Sequence, residues 1–201
     1  MASPDTRYPI LVDTDTLIAV ANSSLWTEIT SHVGLTTTNV CKQELKRHVE
    51  NTRETAPEGS RPYRLHYGSR AALDALEDSE TLLTQVTSVP RPHGADAGKE
   101  SLRQEVVQSP EAIDYVISMD AAGRRAIRRA VDDHNGDIRV VTPPFLFYIL
   151  YDNELSSRRE FCEACGALLE REGWTGYNAV KAAWKGIPID CSDILDDHLL
   201  P

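Results

Sequence analysis

Short apolar runs alternate with longer segments of helical spacing along most of the chain. Ile10-Leu11-Val12 is a branched apolar run stopped by Asp13, the pattern of a buried strand. From Thr16 to Val33 the apolar positions Leu17, Ile18, Val20, Ala21, Leu25 and Ile29 fall close to helical spacing, and Gly34 follows as a terminating residue. Leu35 to Val40 is Thr-rich and predicts a second strand. Cys41 to Glu50 predicts a helix with Leu45 and Val49 on one face. Residues 51–62, with Pro57, Gly59 and Pro62, predict a loop. A helix over Ala71–Asp78, a strand over Thr81–Val89, a turn at residues 90–94, a helix over Ala97–Gln108 and a strand over Tyr115–Ser118 follow. The pattern continues with a helix over Ala121–Val131 capped by Asp120, a strand over residues 138–141, and a helix through Phe145–Leu150 opened by Pro143. Helices over Ser156–Glu172 and Tyr177–Lys185 complete it.

Strands alternating with helices predict an α/β fold whose central sheet is mainly parallel, because parallel strands need helical crossovers. In such sheets the functional crevice lies outside the carboxyl ends of the strands. That rule singles out the acids at those ends. Asp13 ends the first strand and Asp15 follows in the turn; Glu44 stands early in the helix after the second strand; Glu100 opens a later helix; Asp120 ends a later strand. Each one alone also reads as an ordinary helix cap or turn residue. Gathered together they have a chemistry, since carboxylates held close in an apolar wall repel and resist ionisation. A hard divalent cation relieves both effects and leaves room for phosphate oxygens.

Composition narrows the classes. The chain has 201 residues and a formal charge of −10, with 21 Lys and Arg against 31 Asp and Glu. Bulk attraction to nucleic acid is thereby excluded, so a nucleic-acid role needs a local basic patch or metal ions. Arg124, Arg125 and Arg128, with Arg129, provide one candidate patch beside Asp120, expected as an exposed phosphate-binding ridge or a solvated helix face. The scarcity of Lys beside many acids suits a high-salt cytoplasm. No run reaches membrane-spanning length, and the polar stretch Met1–Pro9 predicts no signal peptide, so a soluble, cytoplasmic protein is expected. Four cysteines do not suggest a secreted disulfide framework. Cys162 and Cys165 lack a second close pair for zinc and are expected as small apolar residues of a helix. Phosphate-cradling glycine loops and nucleophile elbows are absent from the sequence.

Five segments together resemble the PIN-domain family. Residues 10–18 (ILVDTDTLI) are similar to its opening strand and turn, residues 40–45 (VCKQEL) to its second acidic motif, and residues 96–102 (DAGKESL) to its Gly-Glu motif. Residues 115–120 (YVISMD) are similar to its strand-end Asp motif and residues 138–150 to its last strand, Thr-Pro turn and helix. The resemblance implies a three-layer α/β/α sandwich over residues 8–152, with an insertion near residues 51–68 and a C-terminal helical extension over residues 153–201. It implies a ribonuclease dependent on Mg²⁺ or Mn²⁺, with Asp13, Glu44, Glu100 and Asp120 as metal ligands and catalytic acids, and Asp15 and Asp96 as accessory acids. RNA is the implied substrate, and many members are toxins of toxin–antitoxin pairs, so an antitoxin or other protein, or a second copy of the chain, is an implied partner. Two departures stand out: Lys99 follows Gly98 where the family has Glu, which moves Glu100 one place on, and Met119 replaces an acid. Glu100 is expected to be aimed inward by a rotated helix start. The alternative is a degenerate domain that binds RNA or a protein without cutting.

Overall fold

The computed structural model describes residues 10–52, 55–86, 97–134, 136–174 and 176–201. Within them the chain runs β1 (Ile10–Val12), α1 (Thr14–Ala21), α2 (Trp26–His32), β2 (Leu35–Thr38), α3 (Asn39–Asn51), α4 (Arg61–Glu77), β3 (Leu83–Val86) and α5 (Ala97–Gln108). It continues through β4 (Tyr115–Ile117), α6 (Ala121–Asp133), β5 (Arg139–Val141), α7 (Pro144–Asp152), α8 (Arg158–Arg171) and α9 (Tyr177–Ala183). The five strands form one parallel sheet in the order β3-β2-β1-β4-β5. Helices cover both of its faces, as the alternation predicts.

Strand periodicity sorts the core into two layers. Ile10, Val12, Leu35 and Ile117 join one buried cluster with Leu17, Leu45, Phe147, Phe161 and Leu168. Leu11, Val116 and Val140 point to the other face and join Leu102, Val106, Ile127 and Val131 of α5 and α6. Helix α3 contributes to both clusters, Cys41 to the second and Leu45 to the first. The sheet reverses direction of growth at β1, which has β2 on one side and β4 on the other. Such a switch point opens a crevice beyond the strand ends.

Three local expectations are corrected. The helix expected over Thr16–Val33 is broken at Asn22, because side chains take its carbonyls. Asn22 Nδ2 donates to the Ile18 carbonyl at 2.7 Å and Ser23 Oγ to the Val20 carbonyl at 2.7 Å. Arg171 of α8 then donates to the Ala19 and Asn22 carbonyls, which seals the end of α1. The loop expected through Pro62 ends instead at Ser60, whose hydroxyl caps α4 by accepting from the Tyr63 N–H. Pro62 suits the first turn of that helix, where its missing N–H has no partner to lose. Cys162 is not a lone packing residue: it forms a disulfide with Cys191, and Cys165 is buried as a free thiol.

Residues 153–201 contribute Phe161, Leu168, Leu169, Val180, Trp184 and Leu199 to the same buried cluster as β1 and α7. Trp184 Nε1 donates to the Leu199 carbonyl at 2.8 Å, while Tyr177 remains 65% exposed. Among the described residues no helix is long and apolar enough to cross a membrane.

Candidate active site

Asp13 leaves the end of β1 and caps α1, and two forces fix it there. Its N–H continues the ladder to the Ile117 carbonyl of β4 at 3.3 Å, and its Oδ1 accepts from the Thr16 N–H at 2.8 Å. The residue is 2% exposed, and its second oxygen, Oδ2, is buried with no hydrogen-bond partner among the described residues. Burial pushes its carboxyl up from 3.8 to about 6; the nearby Ser118 hydroxyl and the hydrogen bonding of Thr16 offset part of that rise, and the nearby Asp15 adds to it. An unpartnered anionic oxygen in a dry wall is costly unless a cation meets it.

Glu44 approaches from α3. Thr14 Oγ1 donates to its Oε2 at 2.5 Å, and the Gly98 N–H donates to its Oε1 at 3.0 Å. A side chain at position 98 would push Glu44 aside, since a Cβ there would lie 2.4 Å from Glu44 Oε2. Gly98→Ala is therefore expected to displace the Glu44 carboxylate, with a stability change of about 1 kcal/mol as the flexible Glu side chain gives way. A loss of several kcal/mol in a denaturant melt would show instead that Glu44 is held rigidly in place.

Asp13, Thr14, Asp15, Glu44, Arg47, His48, Asn51, Gly98 and Lys99 line one cleft of about 410 Å³. Asp15 and Lys99 also border an adjoining cleft with Arg61, Arg64, Met119 and Asp120. Asp120 follows β4, the neighbour of β1, and caps α6 by accepting from the Gly123 N–H. Lys99 Nζ lies 3.5 Å from Asp120 Oδ2. Burial raises the Asp120 carboxyl, but the Gly123 and Ala122 N–H groups and Lys99 outweigh it and hold the acid below its usual range.

Glu100 points elsewhere. Helix α5 turns Gly98, Ser101, Leu102 and Glu105 inward, and Ser101 Oγ lies 2.6 Å from Thr38 Oγ1. A helix turns about 100° per residue, so Glu100 lies about 200° round from Gly98, on the outer side. Its carboxylate takes two bonds from Arg103, at 2.6 and 2.8 Å, which hold it below its usual range, and it borders a third cleft with Lys99, Arg103 and Asp120. The expected inward aim of Glu100 is thus corrected: the Gly98–Glu44 and Thr38–Ser101 contacts set the helix's rotation and bring Lys99 to the cleft. Asp96 lies outside the described residues.

The expected arginine ridge is also corrected. Arg124 is 6% exposed and donates to the Ser118 and Met119 carbonyls at 2.7 and 2.6 Å, with its guanidinium 5.4 Å from the centre of the Trp174 ring. Arg128 is half-buried and donates to the Val140 carbonyl at 2.9 Å. Arg125 and Arg129 are exposed. Pattern reasoning missed the stripe beside Glu44 on α3: Arg47, His48 and Asn51 stand three, four and seven places on, the spacing of one helix face.

Asp13, Asp15 and Glu44 share the main cleft, yet no three of Asp13, Asp15, Glu44, Glu100 and Asp120 bring ligand atoms within 4.8 Å of one another. Among the described residues that closeness occurs for Glu170, Asp196 and His198, all exposed, at the C-terminal end of the chain. The orphaned Asp13 Oδ2, with Glu44 and Asp15 in the same cleft, fits a single hard divalent ion that keeps several waters.

Comparison with protein families matches residues 1–201 to the family described as the halobacterial PIN domain. No curated protein and no solved structure matches the chain.

Proposed function

The chain belongs to the halobacterial PIN-domain family, and from that premise we propose that it is a divalent-metal-dependent ribonuclease, with Mg²⁺ or Mn²⁺ held at Asp13 and Glu44. PIN domains are generally nucleases, so a hydrolase acting on phosphodiesters is the starting point. The observation that carries the metal reading is Asp13 Oδ2, an acceptor buried at the switch point of the sheet without a donor. When bound, the ion supplies Lewis acidity at a phosphate oxygen and lowers the pKa of water.

The chain's own residues do the rest. Asp13 and Glu44 present oxygens whose directions are fixed by Thr16, Thr14 and Gly98. Arg47, His48 and Asn51 line the same cleft and offer donors to a strand's phosphates and base edges. Arg61 borders the next cleft and offers a grip on the other side of Asp15, whereas Arg64 there donates to the Gly59 and Arg171 carbonyls and lies 4.0 Å from Glu172. These cations give an acidic chain the local positive rim that RNA requires.

End-labelled single-stranded RNA, and DNA of the same sequence, incubated with the full chain in MnCl₂, MgCl₂ or EDTA, tests the reading. RNA cut within the strand in either metal and intact in EDTA is the expected result. Cleavage persisting in EDTA overturns the metal role, and cleavage confined to DNA overturns the substrate. RNA bound but uncut in every metal favours a binding module instead, a reading supported by the outward Glu100 and the Lys99–Asp120 pair.

A further inference from the structure

We propose that Lys99 is a built-in cation of the active site, taking the place of a second divalent ion and meeting the phosphate that is cleaved. The inference rests on the ribonuclease reading and deepens it. Lys99 borders three clefts around the acids: the one holding Asp13 and Glu44, the one joining Asp15 to Asp120, and the one between Asp120 and Glu100. Its ammonium lies 3.5 Å from the Asp120 carboxylate. That carboxylate is therefore neutralised by the protein itself, whereas Asp13 Oδ2 is left with no donor.

The seat of Lys99 is built from both sides. At its N-terminal neighbour, Gly98 is pinned to Glu44 by a backbone hydrogen bond and has no room for a side chain. Facing it on α6, Gly123 leaves the space through which the Lys99 stem passes, since a Cβ there would lie 3.3 Å from Lys99 Cδ and 3.1 Å from Asp120 Oδ2. Ser101, three places on, is tied to Thr38. One helix rotation thus brings Lys99 in and turns Glu100 out to Arg103, so a third acid is exchanged for a cation. A divalent ion at Asp120 would meet the ammonium there as a like charge, which disfavours its binding. The site then holds one divalent ion at Asp13 and Glu44 and one fixed ammonium at Asp120.

Hydrolysis adds water's oxygen to phosphorus and breaks one phosphorus–oxygen bond to ribose. The leaving oxygen keeps the electron pair and takes a proton that water gives up, so the products are a phosphate monoester end and a hydroxyl end. The Lys99 ammonium carries three donors and a full charge, and it stabilises the negative charge that grows on the phosphoryl and leaving oxygens.

Calorimetric titration of the full chain with MnCl₂ in the absence of RNA, beside RNA cleavage, tests the inference. With Asp196→Asn in every chain titrated, so that Glu170, Asp196 and His198 add no site of their own, the parent protein is expected to bind one Mn²⁺ per chain, and Lys99→Glu, which restores an acid, two. Lys99→Met is expected to cut RNA about 100-fold more slowly, and Lys99→Arg, which keeps the charge, to lose less than Lys99→Met does. Two Mn²⁺ bound by the parent protein, or parent-like cleavage by Lys99→Met, overturns the inference. No Mn²⁺ bound by the parent protein overturns the ribonuclease reading itself, so the two failures are distinguishable. The parent stoichiometry and Lys99→Arg keep the test decisive should Lys99→Met or Lys99→Glu fail to fold.

Discussion

Asp13→Asn is expected to remove divalent-ion binding and RNA cleavage while making the metal-free protein more stable at neutral pH. The two effects have one cause. Asp13 is 2% exposed and its Oδ2 has no donor, so ionised it carries a buried charge that the Thr16 N–H and the nearby Ser118 hydroxyl compensate only in part. Its carboxyl is pushed up from 3.8 to about 6. Well below pH 3.8 the acid is protonated whether the chain is folded or not, and folding gains nothing and loses nothing by it. As the pH rises to about 6 the unfolded chain ionises first, and the folded state is penalised by up to about 3 kcal/mol above that point. Removing the charge removes the penalty, and the amide keeps the shape that caps α1. Urea unfolding in EDTA at pH 4.5 and 7.5 measures this. The parent protein is expected to lose stability between those values relative to Asp13→Asn, and the variant to be the more stable at pH 7.5. Turnover should fall more than about 100-fold, because the ion's charge no longer meets its principal ligand. A variant that still binds Mn²⁺ as the parent does, or that is less stable than the parent at pH 7.5 in EDTA, would sink this assignment.

Arg124→Ala is expected to destabilise the fold by about 2–4 kcal/mol and to leave the salt dependence of RNA binding unchanged. Arg124 lies under the turn that leads from β4 to Asp120 and donates to both the Ser118 and Met119 carbonyls. Burial holds its pKa below the usual value, with the charge of Arg128 acting in the same direction. Truncation leaves two carbonyls without their charged donor and opens the space beside Trp174. Arg125→Gln is the comparison: an exposed arginine that contacts phosphate lowers the slope of log K against log salt by up to about 1, at little cost in stability. Denaturant melts and binding measured across KCl concentrations separate the two. A flatter salt slope for Arg124→Ala, with unchanged stability, would return that residue to the surface ridge.

Much of the fold was legible because its signals are local. The run Ile10-Leu11-Val12 closed by Asp13, the Thr-rich second strand, the helix over Ala97–Gln108 and the Asp120 cap depend on period, branching and turn chemistry that neighbours in sequence decide. The same local logic put Asp13, Glu44 and Asp120 at strand or helix ends, where a parallel sheet brings them towards one edge.

What the sequence by itself determined, then, is an alternating α/β chain with acids at its strand ends. The tertiary structure decided which of those acids face one another. The rotation of α5 is set by Glu44, 54 positions before Gly98, and by Thr38, 63 positions before Ser101. Those contacts turn Lys99 in and Glu100 out, and no local pattern encodes them. Arg124 reads as one of four equivalent arginines until two carbonyls at the end of β4 claim it. Cys162 meets Cys191 across 29 positions because α8 and the C-terminal segment pack on the same core. The order of elements is written in short-range preferences, whereas the direction of a side chain around its helix is fixed by hydrogen bonds and close contacts between residues that are distant in the chain.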